Sequence, residues 1–568
     1  MAISRIKVWQ QGEILTAVAL NTEFDNVLNG VNALDDVSTS TVTSTTGTQA
    51  RTLADRFDTV FNVLDYGSTP NAGALQAAID AAEANGGGAV MIPANTTVNV
   101  GTTIITVGDN ITLFGYGDTS IINATGAGRT GTDYIIRNDT VGSGNSNITI
   151  RNLRINGDRP TQTAEIHGIH LENVTNGLVE GCRFVDHAAA VWLRSCINCR
   201  VTGNVFDKVS ANRSGVITDV DVNVCERITI DHNRFGESDI EAIDINGGCH
   251  TLVIDANQMH RCGTNADGES IDILDGTGMD IKDFIVSNNV INCDGVVDSA
   301  IRIGMRAERG VIIGNTMIDG NDPGSGFNAR AIGIGNSNRL AIIGNTIEGF
   351  RYGILFQDLS DTATTEGVSI IGNTIRGTGL EAIDLNGSAT LIRSVNVIGN
   401  FLDGLTTSAE AAINVQKTFG FYAIGNEIWD FIGNGIIVQT SEKAIVCDNN
   451  VRSCANGIWV QVPKSIVNGN IVTDNANNGI LIDEADMNVV GNTCLDNTFD
   501  GIRFNSTAAD RAIVMCNRAR LNGGNGIDVA NAVTDVIISY NILTGNTGAN
   551  LNNSGNAGGA SIVGNNIT

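Results

Sequence analysis

The chain has 568 residues with a net charge of −27, and 42% of its residues are hydrophobic. This share of apolar residues excludes a disordered chain. The negative charge argues against nucleic acid as a partner, because nucleic-acid binding needs a basic surface. No apolar run is long enough to span a bilayer, and no signal peptide follows Met1. These features predict a protein that is made in the cytoplasm and does not insert into a membrane.

The cysteine spacing argues against a metal centre. Of the eleven cysteines only Cys196 and Cys199 form a tight pair, and no second pair at metal-ligand spacing accompanies them. We therefore expect the cysteines to be small buried residues, and we expect no bound metal or other cofactor.

Residues 1–36 differ from the rest of the chain and are predicted to form a separate N-terminal segment. Its apolar residues fall on one stripe of a helix, formed by Leu20, Phe24, Val27, Leu28 and Val31. Residues 37–62 come next as a Ser/Thr-rich linker, and residues 51–61 within them have the pattern of a short amphipathic helix.

Residues 63–100 are predicted to form an N-terminal cap on the rest of the chain. Residues 63–67 have a strand-like pattern, and the Ala-rich residues 74–84 predict a helix that ends at Asn85 and a run of three glycines. Residues 89–93 then return to a strand pattern.

The remaining residues, 101–568, are organised by a repeated phrase: Gly-Asn, or a near variant, followed two residues later by an apolar residue. Seventeen copies occur at spacings of 21 to 31 residues. Full copies begin at Gly203, Gly314, Gly344, Gly372, Gly399, Gly425, Gly469, Gly491 and Gly564, and degenerate copies lie at Asn152, Cys182, Asn233, Asn257, Asn288, Asn449, Asn517 and Asn541. Such a period predicts an all-β solenoid of roughly 17 rungs, in which the Asn side chains stack and bond neighbouring turns.

The order of strand, helix, glycine run and Val90-x-Ile92-Pro93 resembles the N-terminal cap of the pectate-lyase-superfamily right-handed parallel β-helix. Residues 51–57 resemble the neck of bacteriophage tailspikes, and residues 4–28 are similar to particle-anchoring segments of phage tail proteins. The acidic stretch common in these caps is absent, since residues 68–72 read Ser-Thr-Pro-Asn-Ala.

This resemblance implies a homotrimeric tailspike in the virion, with residues 1–36 attached to phage tail, baseplate or portal-adaptor proteins. It also implies that the partner of residues 101–568 is a bacterial surface polysaccharide, such as an O-antigen, a capsule or an exopolysaccharide.

A second repeated phrase, x-Ala/Gly-Ile-x-apolar, lies between the Gly-Asn copies. Because strand side chains alternate in direction, its two apolar residues point into the core and the residue between them points out. The predicted outward column is His170, Trp192, Ile217, Asp244, Asp272, Arg302, Gly333, Leu355, Asp384, Asn414, Ile437, Trp459, Leu481, Arg503 and Asp528.

Four acidic residues are predicted to meet on this column. Asp244 and Asp272 are neighbours beside Arg302, and Glu241 and Glu269 precede the same two strands. Residues 237–283 hold eleven acidic residues against two basic ones, all six histidines lie between residues 167 and 260, and the repeats are longest in this region. Stacked like charges cost stability, so the concentration of charge indicates a functional site.

The favoured interpretation is glycoside hydrolysis, in which one carboxylic acid protonates the leaving oxygen and another activates water or attacks the sugar. Asp244 and Asp272 are close enough for a retaining pair, whereas Glu241 diagonal to Asp272 would leave room for an inverting water. The catalytic candidates are Asp244, Asp272, Glu241 and Glu269, and the substrate-binding candidates are Trp192, His170, Arg302, Asp239 and Asp275.

Three alternatives remain open. A polysaccharide lyase would use Asp244, Asp272 and Glu269 as Ca²⁺ ligands with Arg302 as base, as the resemblance to pectate lyases implies. An adhesin would bind the polysaccharide in the same groove without cleaving it. Alternatively, the acidic residues only keep a sheet face soluble. Glu381 and Asp384 repeat the Glu-x-x-Asp phrase and form a second, weaker candidate site.

Overall fold

The computed structural model describes two short pieces and most of the chain from residue 59 onward. The described residues are 41–42, 51–52 and 59–568, except 125–128, 130–131, 158–164, 188, 208–215, 220–224, 239–240, 264–267, 275–279, 295–297, 305, 321–328, 358–364, 387–391, 407, 409, 530–532 and 555–561. The predicted helical stripe in residues 1–36 and the linker over residues 43–50 lie outside the described residues.

The chain forms a right-handed parallel β-solenoid of about 16 turns, as the repeat and the resemblance predict. Three parallel sheets run along it, and each strand pairs with the equivalent strand one turn later. The predicted all-β architecture is therefore confirmed.

Sheet 1 carries the outward column. Its strands are Ile105–Val107, Thr132–Asn138, Glu165–Glu172, Ala189–Arg194, Val216–Asp219, Ile243–Asn246, Glu269–Leu274, Ser299–Ile303, Arg330–Ile334, Tyr352–Gln357, Ile383–Asn386, Ile413–Gln416, Ile436–Gln439, Ile458–Val460, Ile480–Ile482, Ile502–Phe504, Ile527–Asp528 and Leu551–Asn552.

Sheet 2 comes after sheet 1 in each turn. Its strands are Val60–Asn62, Gly88–Met91, Ile111–Asn123, Ser146–Asn156, Thr175–Glu180, Ile197–Thr202, Cys225–Asp231, Cys249–Asp255, Ile281–Ser287, Ala307–Ile313, Asn338–Ile343, Glu366–Ile371, Ile392–Ile398, Thr418–Ile424, Ala444–Cys447, Ile466–Asn468, Asn488–Val490, Ile513–Met515, Ile537–Ser539 and Ile562–Gly564.

Sheet 3 completes the turn, and its first strands pair with the second halves of Ile111–Asn123 and Ser146–Asn156. Its own strands are Thr96–Asn99, Arg183–Val185, Val205–Asp207, Arg234–Phe235, Gln258–His260, Val290–Asn292, Thr316–Ile318, Thr346–Glu348, Thr374–Arg376, Phe401–Asp403, Glu427–Trp429, Asn450–Arg452, Ile471–Thr473, Thr493–Leu495, Arg518–Arg520 and Ile542–Thr544.

The corner between sheets 2 and 3 holds a continuous ladder of asparagines, all of them buried except the half-buried Asn566 at its end. The backbone N–H of each one donates to the side-chain oxygen of the next, so every turn is tied to the following turn. The ladder runs through Asn204, Asn233, Asn257, Asn289, Asn315, Asn345, Asn373, Asn400, Asn426, Asn449, Asn470, Asn492, Asn517, Asn541 and Asn566.

The backbone conformation of the residue before each ladder asparagine explains why the repeated phrase contains glycine. Gly203 and Gly314 have φ angles of 63° and 66°, in the left-handed region that glycine adopts at least cost. Three predicted positions are wrong by one residue, because Asn152, Asn288 and Asn565 themselves have positive φ angles. Asn289 and Asn566 make the ladder bonds, and Leu153 is the residue equivalent to Cys182.

The N-terminal cap contains the helix Ala72–Ala84, which begins after Asn71, whose side chain accepts a hydrogen bond from the Ala74 N–H. The glycine run ends this helix as predicted, and the strand Gly88–Met91 comes next. The strand predicted at residues 63–67 is wrong, because the strand is Val60–Asn62 and Val63–Asp65 form a 3-10 helix.

The helix predicted over residues 51–61 is also wrong at both of its ends. Arg51–Thr52 pairs antiparallel with Thr41–Val42, and Val60 and Phe61 belong to a strand, whereas residues 53–58 lie outside the described residues. No helix in the described part of the chain is long and apolar enough to cross a membrane.

The interior is one continuous apolar core that runs the length of the solenoid. Nine of the eleven cysteines are buried, as predicted, but Cys447 is half-buried and Cys516 is exposed. The inward residues flanking the acidic column, including Ile243, Ile245, Ile271 and Ile273, are fully buried and fix the direction of the residues between them.

Candidate functional site

The strand register of sheet 1 confirms the outward column. Trp192 pairs with Ile217, Ile217 with Asp244, Asp244 with Asp272, and Asp272 with Arg302. Paired positions in neighbouring parallel strands lie about 4.8 Å apart. The two aspartates are therefore adjacent residues on one sheet face, and Arg302 is the next residue along it.

Arg302 binds two of the predicted carboxylates at once. Its Nε and Nη2 donate to the two oxygens of Asp272 at 2.9 and 2.7 Å, and its Nη1 lies 2.6 Å from Oε1 of Glu269. The Glu269 contact lacks hydrogen-bond geometry, and among the described residues neither of its buried carboxyl oxygens has a hydrogen-bond donor. One guanidinium therefore faces two carboxyl groups.

Burial and mutual repulsion disfavour the ionised state of this pair. Burial, then the charge of Asp272, raises the pKa of Glu269 to about 9 despite Arg302. Burial also raises the pKa of Asp272 to about 6, although the charge and hydrogen bonds of Arg302 act in the opposite direction. At neutral pH Glu269 therefore keeps its proton, whereas Asp272 is largely protonated only below about pH 6.

Glu241 and Asp244 are the more accessible members of the acidic group, because both are half-buried. Glu241 precedes the strand Ile243–Asn246, and one of its carboxylate oxygens lies within 4.8 Å of those of Glu269 and Asp272. This separation is shorter than the ~6.5–9.5 Å of an inverting pair. The structure therefore gives no support to the expectation that Glu241 and Asp272 leave room for an inverting water.

The carboxylates that lie together overlap only in part with the Ca²⁺ ligands of the lyase alternative. The three carboxylates that approach one another are Glu241, Glu269 and Asp272, and not the predicted set that contains Asp244. Arg302 contacts both Glu269 and Asp272.

Arg302 is also unsuited to act as the base of a lyase. Burial lowers its pKa, but the charge and hydrogen bonds of Asp272 and the charge of Glu269 outweigh burial and hold the pKa above its ordinary value. The guanidinium therefore stays protonated.

Trp192 and His170, two of the predicted substrate-binding residues, lie at one end of the column in a cluster of buried and half-buried rings. Trp192 is only 9% exposed, and its ring lies 4.8 Å from that of His170, which stacks on Tyr134 at 4.4 Å. Burial, then Arg194 and Arg137, lowers the pKa of His170 to about 4, so this histidine is neutral at pH 7. Trp192 therefore offers little exposed ring surface to a sugar.

The second acidic pair has a different partner. Glu381 and Asp384 are both buried, and the side-chain amide of Asn414 donates to them at 3.5 and 3.1 Å. Burial, then the charge of Glu381, raises the pKa of Asp384 to about 7. The sequence placed Asn414 beside Asp384 in the outward column but did not identify it as the donor.

Two of the predicted binding residues, Asp239 and Asp275, lie outside the described residues. Of the other candidates, the structure brings Glu241, Glu269, Asp272 and Arg302 together, with Asp244 adjacent. His170 and Trp192 are separated from Asp244 by the strand of Ile217. The stacking of Tyr134 on His170 was not predicted, because Tyr134 precedes the first clear copy of the strand phrase.

Comparisons with known proteins identify the architecture. A family model described as a right-handed beta helix region matches residues 411–567. A mutant tailspike protein of E. coli bacteriophage HK620, in complex with a pentasaccharide, superposes with a TM-score of 0.50 at 14% identity, covering 83% of this chain and 82% of that chain. This chain shares the tailspike fold.

Two other solved structures superpose less closely. The HK620 tailspike protein in complex with a pentasaccharide has a TM-score of 0.45 at 16% identity, covering 76% of this chain and 82% of that one. An alginate lyase from Paenibacillus sp. str. FPU-7 has a TM-score of 0.41 at 17% identity, covering 52% and 97%. No match is found among curated proteins.

Proposed function

We propose that this chain is a tailspike that binds a bacterial surface polysaccharide and cleaves it by glycoside hydrolysis. The observation that carries the proposal is the carboxyl cluster of Glu241, Glu269 and Asp272 around Arg302, on the outer face of sheet 1. A protonated carboxyl beside an ionised one is the arrangement that acid-assisted glycosidic cleavage requires.

In the proposed mechanism Asp272 and Glu241 do the chemistry. Asp272 donates its proton to the glycosidic oxygen as the C–O bond breaks, and the Glu241 carboxylate attacks the anomeric carbon to form a glycosyl ester. Water then hydrolyses this ester, activated by the Asp272 carboxylate, which regains its proton. Their separation below 4.8 Å supports this retaining route.

Arg302 and Glu269 act as positioning residues in this proposal. Arg302 holds both oxygens of Asp272 and so fixes the direction of its carboxyl group. Glu269 is fully buried beneath Arg302 and cannot reach a substrate, so its role is to hold the guanidinium in place. Asp244, half-buried beside Asp272, faces the sugar.

The tailspike fold and the charge of the chain support the choice of substrate. The HK620 tailspike that shares this fold was solved in complex with a pentasaccharide. The net charge of −27 repels a highly anionic polymer, so a neutral or weakly charged glycan is the proposed substrate. Residues 1–36 are proposed to attach the protein to the virion.

The test is to incubate a panel of purified O-antigens, capsules and exopolysaccharides with the protein and to monitor chain length by size-exclusion chromatography. We expect one polymer to shorten, with new reducing ends. Asp272→Asn and Glu241→Gln, which remove the proposed acid and the proposed nucleophile, should bind the same polymer without shortening it. Asp528→Asn, at the same column position far along the solenoid, is the matched control and should cleave normally.

Two outcomes would overturn hydrolysis. Binding with unchanged chain length in the wild-type protein would establish an adhesin. Products with an ultraviolet-absorbing unsaturated end would establish a lyase.

A further inference from the structure

A surface cavity lies around the corner from the acidic cluster, on the outer face of sheet 3. Its volume is about 470 Å³, within the usual range of small-molecule sites. The cavity is lined by Arg234, Gln258 and Val290, which are paired residues of three successive strands. It is also lined by the pair His260 and Asn292, two residues further along the last two of these strands. Nothing in the proposed hydrolysis uses these residues.

The cavity and the acidic cluster are built on the same turns. The strand Arg234–Phe235 leads through residues 236–242 to the strand of Asp244, and Gln258–His260 leads similarly to the strand of Asp272. The cavity and the acidic cluster are therefore one corner of the solenoid apart.

Arg234 gives the cavity its charge. Within the described part of the chain Arg234 has no ion-pair partner, although acidic residues outnumber basic ones 61 to 34 in the sequence. Arg183, at the equivalent position two turns earlier, pairs with Asp118 and Asp207. Glu237, the acidic residue of the cavity lining, pairs with Arg261 at 3.1 Å. An unneutralised guanidinium therefore faces the cavity.

The remaining lining suits a sugar. Gln258 and His260 are exposed and offer hydrogen-bonding groups to hydroxyls, and Val290, 46% exposed, offers an apolar surface to the C–H face of a ring. The planar guanidinium of Arg234 matches a carboxylate in a two-pronged contact.

We propose that this cavity binds a carboxylate-bearing sugar unit of the polysaccharide, with Arg234 holding the carboxylate. The inference rests on the proposed polysaccharide substrate and deepens it, because it assigns an acidic sugar to the repeat unit. One carboxylate per repeat is consistent with a weakly charged glycan on a protein with a net charge of −27.

The test is ligand-observed saturation-transfer NMR on the full chain, titrated with D-glucuronate and with D-glucose. Wild-type protein should bind glucuronate about tenfold or more tightly than glucose, and Arg234→Gln should lose that preference. Arg518→Gln is the matched control, since Arg518 is also exposed at the first position of a sheet 3 strand but lies outside the cavity. It should behave as the wild type.

Equal binding of the two sugars by wild-type protein, or an unchanged preference in Arg234→Gln, would overturn the inference. A loss of the preference in Asp272→Asn would also overturn it, because the acid would then bind at the acidic cluster. These outcomes are independent of polymer cleavage. Polymer hydrolysis without a preference for glucuronate would refute only the proposed binding of an acidic sugar in the cavity. A preference for glucuronate without hydrolysis would refute only the proposed cleavage.

Discussion

At the scale of single residues, Arg302 is the cation that compensates the negative charge of the acidic cluster. Its side chain is 27% exposed, while those of Glu269 and Asp272 are 0% and 5% exposed. Removing one partner of a buried ion pair leaves a charge without compensation, which costs about 3–5 kcal/mol. We expect Arg302→Gln to lower the free energy of unfolding by about this amount, measured by urea denaturation.

The controls for this prediction are also in the structure. Arg309→Gln removes an exposed pair with Asp283 and should leave stability unchanged. Arg302→Gln combined with Asp272→Asn should recover part of the loss, because the uncompensated carboxylate is also removed. If Arg302→Gln and Arg309→Gln lowered the free energy of unfolding equally, the interpretation of Arg302 as part of a buried ion-pair network would be contradicted.

The pH dependence of cleavage depends on the pKa of Asp272, which is raised to about 6 mainly by burial. A general acid works only while protonated, so kcat/KM should be high below about pH 6 and should fall as the pH rises through this value. Arg302 lowers this pKa, and Arg302→Lys, which cannot bind both oxygens, should move the falling limb to higher pH. Initial rates of reducing-end formation between pH 4 and 9 measure both profiles. A limb that rises with pH near 6 would contradict the assignment of Asp272 as the acid.

The sequence predicted which side chains meet but not how they bond. The period placed Asp244, Asp272 and Arg302 on consecutive strands, because a parallel register repeats the same position in every turn. It could not predict that Arg302 reaches back to Glu269 as well, since that depends on side-chain conformation. The burial of Trp192 was missed for a related reason, because an outward direction does not imply exposure when neighbouring rings pack over it.

The asparagine ladder is the element that holds the turns in register. Asn345 donates from its backbone N–H and its amide to Asn373, donates to the carbonyl of Ile312, and accepts two hydrogen bonds from Asn315. Asn345→Ala would leave several buried polar groups without partners, so we expect a loss of about 2–4 kcal/mol in the free energy of unfolding. Urea denaturation measures it.

Asn396→Ala provides the comparison for the ladder. Asn396 is half-buried in a sheet 2 strand and makes only a weak side-chain hydrogen bond to Ser369 at 3.4 Å. Its substitution should change stability by less than about 0.5 kcal/mol. A loss as large as that of Asn345→Ala would show that the ladder has no special role.

The elements were predictable wherever one local rule applied to every turn. The Gly-Asn phrase combines a left-handed residue with a side chain that bonds the next turn, so it marks the same corner each time. The prediction failed where another residue adopts the left-handed conformation, as Asn288 does, because the identity of the ladder residue then depends on the backbone. The cap strand was misplaced because residues 60–67 contain no repeat.

At the scale of the whole molecule, the proposed assembly is a homotrimer. This prediction comes from the resemblance to tailspikes and is tested by light scattering coupled to size-exclusion chromatography. We expect a mass three times that of the 59.5 kDa chain, unchanged by dilution. A mass equal to one chain at micromolar concentration would contradict it.

The proposed hydrolysis predicts where the sugar lies on the molecule. The decisive measurement is a crystal structure of Asp272→Asn with an oligosaccharide of the cleaved polymer. We predict that the chain crosses the strands Ile243–Asn246 and Glu269–Leu274, with a glycosidic oxygen within hydrogen-bond distance of the residue 272 side chain and Glu241 facing the anomeric carbon. An oligosaccharide bound elsewhere, with no glycosidic bond at these carboxylates, would contradict the account.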